Sequence, residues 1–130
     1  MLARNFEDLK VWQESRLQVV WIYQHFGTGN KKVDFGFRDQ IQRAAVSVMN
    51  NIAEGFERGT RKDFARFLDL AKGSAGEVRS MLSVAVELGY LSDDIATKQI
   101  EQSLGISRSL AALAKSLRLK EQQAKIQENQ

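Results

Sequence analysis

The 130-residue chain contains no proline and no cysteine, and it has a single histidine, His25. Without proline nothing locks φ or removes a backbone donor inside an element, so long helices can run unkinked. Without cysteine there is no disulfide frame, no thiolate zinc site and no thiol nucleophile, which fits a reducing compartment. One histidine cannot supply the paired Glu-x-x-His ligands of a di-iron bundle. Long apolar runs are missing too. None approaches the ~20 residues that cross a bilayer, and the start Met-Leu-Ala-Arg-Asn-Phe-Glu lacks the apolar core of a secretion signal. The expectation is a cytoplasmic protein with no membrane contact, no metal and no cofactor.

What is present is ordinary in amount and informative in pattern. Hydrophobic residues make up 43% and charged residues 27% of the chain, too apolar for disorder. A chain of this length buries roughly two-thirds of the surface its unfolded form exposes, enough for one core and not two. The net charge of +3 comes from 19 basic and 16 acidic residues. Ten basic residues stand against eight acidic ones in 1–65, and nine against eight in 66–130. That mildly basic, even balance permits RNA or DNA contact and argues for it only weakly.

Apolar spacing divides the chain into four helical segments. The first, about Phe6 to Phe26, sets Leu9, Trp12, Val19, Val20 and Tyr23 at helical intervals and ends at Gly27 and Gly29. The second starts near Asp34, carries Phe37, Ile41, Ala44, Ala45, Val48 and Ile52 on one stripe, and stops at Glu57 or Arg58 before Gly59. Thr60 and Asp63 form a capping pair that opens the third, with Phe64, Phe67, Leu68, Ala71, Val78, Leu82 and Ala85 inward and Gly89 as a left-handed cap. Ser92-Asp93-Asp94 caps the fourth, which carries Ile100, Leu104, Ile106, Leu110, Leu113 and Leu117. Short connections between long helices predict an all-α, antiparallel up-down-up-down four-helix bundle over residues 1–119. Residues 120–130, with almost nothing apolar to bury, are expected to form a frayed polar tail.

The least routine feature lies on the second helix. At about 100° per residue, Gln40, Arg43, Ser47, Asn51, Glu54 and Arg58 share a sector of about 80° that borders the apolar stripe. The third helix offers a counterpart in Arg66, Gly73, Ser74, Glu77 and Ser80. Part of this line should be half-buried, with Arg43 or Arg58 meeting Glu54 or Glu77. Such a line fixes register or oligomeric state when its members satisfy one another. The competing function is a small-molecule binder or enzyme in the space between helices two and three. Other apparent motifs carry less. Gly27-Thr28-Gly29 follows a helix where a dinucleotide fingerprint follows a strand. Gly73-Ser74-Ala75-Gly76 lies within a helical pattern and suits close helix packing. His25 suits a helix C-terminus, and Trp12 and Trp21 suit core or interface anchors.

The strings Phe6-Glu-Asp-Leu-Lys-Val-Trp12, Gln40-Ile-Gln-Arg-Ala-Ala-Val-Ser47, Asn51-Ile-Ala-Glu-Gly55 with Arg58, and Phe64-Ala-Arg-Phe-Leu68 running on to Ala71-Lys-Gly-Ser74 and Glu77 occur in fixed order. Over about Phe6 to Leu91 the chain thereby resembles the four-helix-bundle family named for proteins encoded in 23S rRNA intervening sequences. The fourth helix matches in pattern alone. The resemblance implies an up-down bundle that assembles into a ring-shaped homopentamer. A related group, the accessory variability proteins of diversity-generating retroelements, shares bundle and ring and binds nucleic acid and a reverse transcriptase through a strongly basic surface. Two features depart from the pattern: the modest +3 charge, and Val48-Met49-Asn50 where the family has Ile-Pro-Ser. In this light Arg43, Asn51, Glu54, Arg58 and Glu77 would hold helices two and three together or line the subunit contact.

The expected function is that of a non-enzymatic, self-assembling helical protein, with RNA, DNA or a nucleic-acid-processing protein as candidate partners. Lys31, Lys32, Arg61 and Lys62 lie in or beside inter-helix connections and are the candidate nucleic-acid contacts.

Overall fold

The computed structural model describes residues 3–27, 29, 30 and 32–130. A single 3-10 turn, Phe6–Asp8, precedes four helices: α1 (Lys10–His25), α2 (Phe35–Glu57), α3 (Arg61–Glu87) and α4 (Asp93–Glu128). Described residues hold no strand. At about 1.5 Å per residue the helices measure roughly 24, 35, 41 and 54 Å.

Cross-links fix their directions. Along α3, Arg61, Asp69 and Arg79 meet Glu121, Arg118 and Ser107 of α4, so one chain position rises as the other falls. Gly55 lies under Phe67, Ser47 bonds Ser74, and Asp34 meets Tyr90, which gives the same antiparallel relation between α2 and α3. Each helix touches its two neighbours, and the diagonal pairs α1/α3 and α2/α4 do not meet. The result is an antiparallel four-helix bundle with α1 and α3 at opposite corners.

The caps follow local chemistry. Thr60 Oγ1 accepts from the Asp63 N–H at 3.1 Å and Ser92 Oγ from the Ile95 N–H at 3.3 Å, satisfying donors that a helix start leaves open. Gly59 and Gly89 take φ of 84° and 74°, where a side chain would be strained. Ile41, Ile52, Leu68, Leu82, Ile106 and Leu110 are fully buried, each side chain contributing about 1.5–3 kcal/mol. An aromatic chain closes one end: Phe26 packs on Phe37 and Phe37 on Tyr90, with centroids 5.6 and 5.2 Å apart.

Two segments differ from expectation. The first helix is not continuous from Phe6, because Leu9 is extended (φ −74°, ψ 123°). Asp8 turns back to accept from the Asn5 N–H at 3.1 Å, closing a local turn before α1 begins. The tail expected to fray over 120–130 instead continues α4 to Glu128. Its Lys, Glu, Gln and Ala residues are all strong helix formers, no glycine interrupts them, and Glu121 reaches back to Arg61 at 3.7 Å.

Candidate functional site

The polar stripe resolves into a closed centre and open ends. Ser47 Oγ and Ser74 Oγ lie 2.8 Å apart and join α2 to α3. Asn51 Nδ2 donates to Ser47 Oγ at 3.0 Å and to the Ser47 carbonyl at 2.8 Å. Ser74 is buried and Ser47 and Asn51 are half-buried, so three polar groups share one small, mutually satisfied cluster. Gln40, Arg43, Glu54, Arg58 and Glu77 are exposed.

Of the expected charge pairings Arg58 with Glu54 is present, within one helix, and no pair among the described residues crosses the seam to Glu77. Arg43 pairs with Asp39 one turn earlier at 2.9 Å, and Arg58 pairs with Glu54 of its own helix at 2.8 Å. Both are i,i+4 pairs, the geometry most accessible to neighbouring side chains on one helix. Donating this hydrogen bond to the Glu54 carboxylate raises the Arg58 pKa above its ordinary value. Arg58 and Arg66 also lie over the Phe67 ring, 4.9 and 4.6 Å from its centroid. Among the described residues Glu77 makes no ion pair and no group of His, Asp and Glu side chains is placed to hold a metal.

Close approach of α2 and α3 is set by Gly55, a residue the periodicity left unremarked. A Cβ there would stand 2.6 Å from Phe67 Cβ and 3.1 Å from Phe64 Cδ1. The seam between α3 and α4 is built differently. Arg79 donates to Ser107 Oγ at 2.7 Å and Ser103 Oγ at 3.3 Å, and Ser103 donates to the Ala75 carbonyl at 3.1 Å. Between α1 and α4, Gln18 Nε2 donates to the Gln99 carbonyl at 3.2 Å. Small hydroxyl residues recurring on α4 among aliphatics were the available sign of that polar seam.

The described basic candidates do not form one site. Lys32 stands in the α1/α2 connection, whereas Arg61 and Lys62 open α3 at the other end of the bundle. Lys31 lies outside the described residues. His25 is exposed in the last turn of α1, stacked on Trp21 at 4.1 Å, with Nδ1 2.9 Å from the Trp21 carbonyl oxygen that accepts from it. Trp12 packs edge-on against Phe6.

Exposed apolar side chains occur on all four helices, with Phe35 on α2 and Ile95, Leu119 and Ile126 on α4 besides two groups on α1 and α3, which stand at opposite corners. Leu70 and Val84 on α3 and Leu88 at its C-cap are 48%, 46% and 53% exposed. With Gly73 and Glu77 they fall within a sector of about 60°. Nothing lies within 4 Å of where a Gly73 Cβ would stand. On α1, Leu17, Val20 and Tyr23 are likewise about half exposed. No helix among the described residues is long and apolar enough to cross a membrane.

The sequence model of the family described as 23S rRNA-intervening sequence protein matches residues 7–112. Among solved structures, a protein of unknown function from the S23 ribosomal protein family of Bacteroides thetaiotaomicron superposes with a TM-score of 0.75 at 24% identity, over 81% of this chain and 98% of that one. At that identity the likeness speaks for the fold. Comparison with curated proteins finds no match.

Proposed function

Given that the chain belongs to the 23S rRNA-intervening sequence protein family, we propose that it is a non-enzymatic cytoplasmic protein that assembles with copies of itself. The observation that carries this is a pair of exposed apolar groups on diagonally placed helices, Leu70 and Val84 on α3 with Leu88 at its C-cap, and Leu17, Val20 and Tyr23 on α1. Large apolar side chains left half exposed along one line of a helix suit contact with another protein surface. An isologous dimer uses one face twice, whereas head-to-tail contact joins two different faces and closes into a ring when the rotation allows. Faces on diagonally opposite helices suit the second arrangement, and five subunits is the number the family resemblance implies. Gly73 lets a neighbouring helix come close beside Leu70, and Glu77 offers an exposed charge to set register.

A catalytic role for the stripe fits less well, because Ser47, Ser74 and Asn51 are occupied with one another. The experiment is substitution of Leu70 and Leu88 by glutamate together. Both side chains are about half exposed, so helix content by circular dichroism should hold while the solution mass falls to that of the monomer. An unchanged mass with the fold intact would refute α3 as a subunit face.

A further inference from the structure

Folding concentrates charge that the sequence spreads evenly. Between the start of α3 and the end of α4 runs a groove of about 450 Å³ flanked by Arg61, Lys62, Arg66, Arg118 and Lys125, with Asp63 and Glu121. A second groove of about 330 Å³ continues it, shares Arg118 and Gln122, and adds Lys72, Lys115 and Asp69. Together they gather seven cations against three carboxylates, a surplus of four on a chain whose total is +3, so the rest of the molecule is net negative by one.

We infer that this paired groove binds the phosphodiester backbone of a single-stranded nucleic acid. Its shape favours a polymer over a lone phosphate. From Arg61 to Lys72 the cations extend along α3 for roughly 17 Å at about 1.5 Å per residue. Three arginines, Arg61, Arg66 and Arg118, stand along the walls of the groove, with Leu117 and Ala111 between them. Unpaired bases stack on guanidinium planes while phosphates meet the charges, a combination that a duplex with its bases turned inward cannot use. Arginine is suited to phosphate by its fork of donors.

The cations are also available. Arg61 to Glu121 and Arg66 to Asp63 are 3.7 and 3.8 Å apart, well beyond the ~2.7–2.9 Å of a charge-assisted hydrogen bond. Lys62 and Lys125 are exposed and make no ion pair among the described residues. An acidic peptide would satisfy the charges but brings no bases to lie on the guanidinium planes of Arg61, Arg66 and Arg118. The groove uses none of the apolar residues proposed for subunit contact, so it stands or falls separately from assembly.

The test is fluorescence anisotropy of a labelled 12-nucleotide oligouridylate at low salt, followed by a salt titration. Three or four neutralised phosphates should give a log–log slope of about −2 to −3. Lys62→Glu with Lys125→Glu should weaken binding at least ~10-fold with helix content unchanged. Lys32→Glu with Lys98→Glu, at the opposite end, should leave affinity within about twofold. Absence of binding, equal losses in both double variants, or equal affinity for polyglutamate of matched charge would overturn the assignment.

Discussion

The two seams of α3 place polar groups to opposite effect. Toward α2 the contact is narrow: Gly55 lies beneath Phe64 and Phe67, and the only hydroxyl pair, Ser47 with Ser74, is tied off by Asn51. Toward α4 the contact is held by longer side chains, Arg79 reaching Ser103 and Ser107 and Arg118 reaching Asp69, and grooves open where those long side chains diverge. Small residues let backbones approach and leave no room for a ligand. Long charged residues hold helices together through their tips and leave space along their stems.

Three substitutions sharpen that contrast. Gly55→Ala should be the most damaging, with a loss of about 1–3 kcal/mol from overpacking. The intruding methyl meets Phe67 at Cβ, next to the backbone, so the clash cannot be relieved by swinging a side chain away. Urea unfolding measures it, and a neutral result would show that the seam is looser than its geometry. Ser47→Ala should cost about 1–2 kcal/mol, since Ser74 Oγ would be left buried without its partner. A thermal melt showing no loss would mean that the hydroxyl pair is dispensable. Arg118→Ala should cost the least. Its pair with Asp69 is about half exposed on both sides, and such pairs contribute roughly 0.2–1 kcal/mol, fading as salt rises. A large, salt-independent loss would make the α3/α4 seam as rigid as its counterpart and erase the distinction.

How far the sequence revealed these features depends on how local they are. Thr60, Ser92, Gly59 and Gly89 were readable because a cap is settled by residues within one turn. The Asn5–Asp8 turn was local as well, yet the apolar period of Leu9 and Trp12 masked it. Ser47, Asn51 and Ser74 were placed on facing lines by periodicity alone, and the structure joins them. Arg58 was matched to Glu54 among the alternatives, whereas Arg43 pairs with Asp39 four residues before it, a neighbour on the same helix that was not weighed against Glu54 and Glu77. The α3/α4 groove was beyond reach for a different reason. Residues 61–72 and 115–125 are distant in sequence, each segment is only mildly basic, and antiparallel pairing of the two helices alone brings their charges together. The helical tail was missed on the assumption that a helix needs an apolar face, whereas an end grafted onto a packed helix needs only propensity.

Assembly through the α1 and α3 faces is the central claim, and light scattering of the unmodified protein over a range of concentrations tests it most directly. One chain weighs 14.7 kDa. A ring of five would weigh about 74 kDa, five times that value, and closed symmetry predicts a mass that holds steady with concentration rather than growing. A mass of 14.7 kDa throughout would contradict the account, leaving the exposed leucines of α3 without a partner of their own kind.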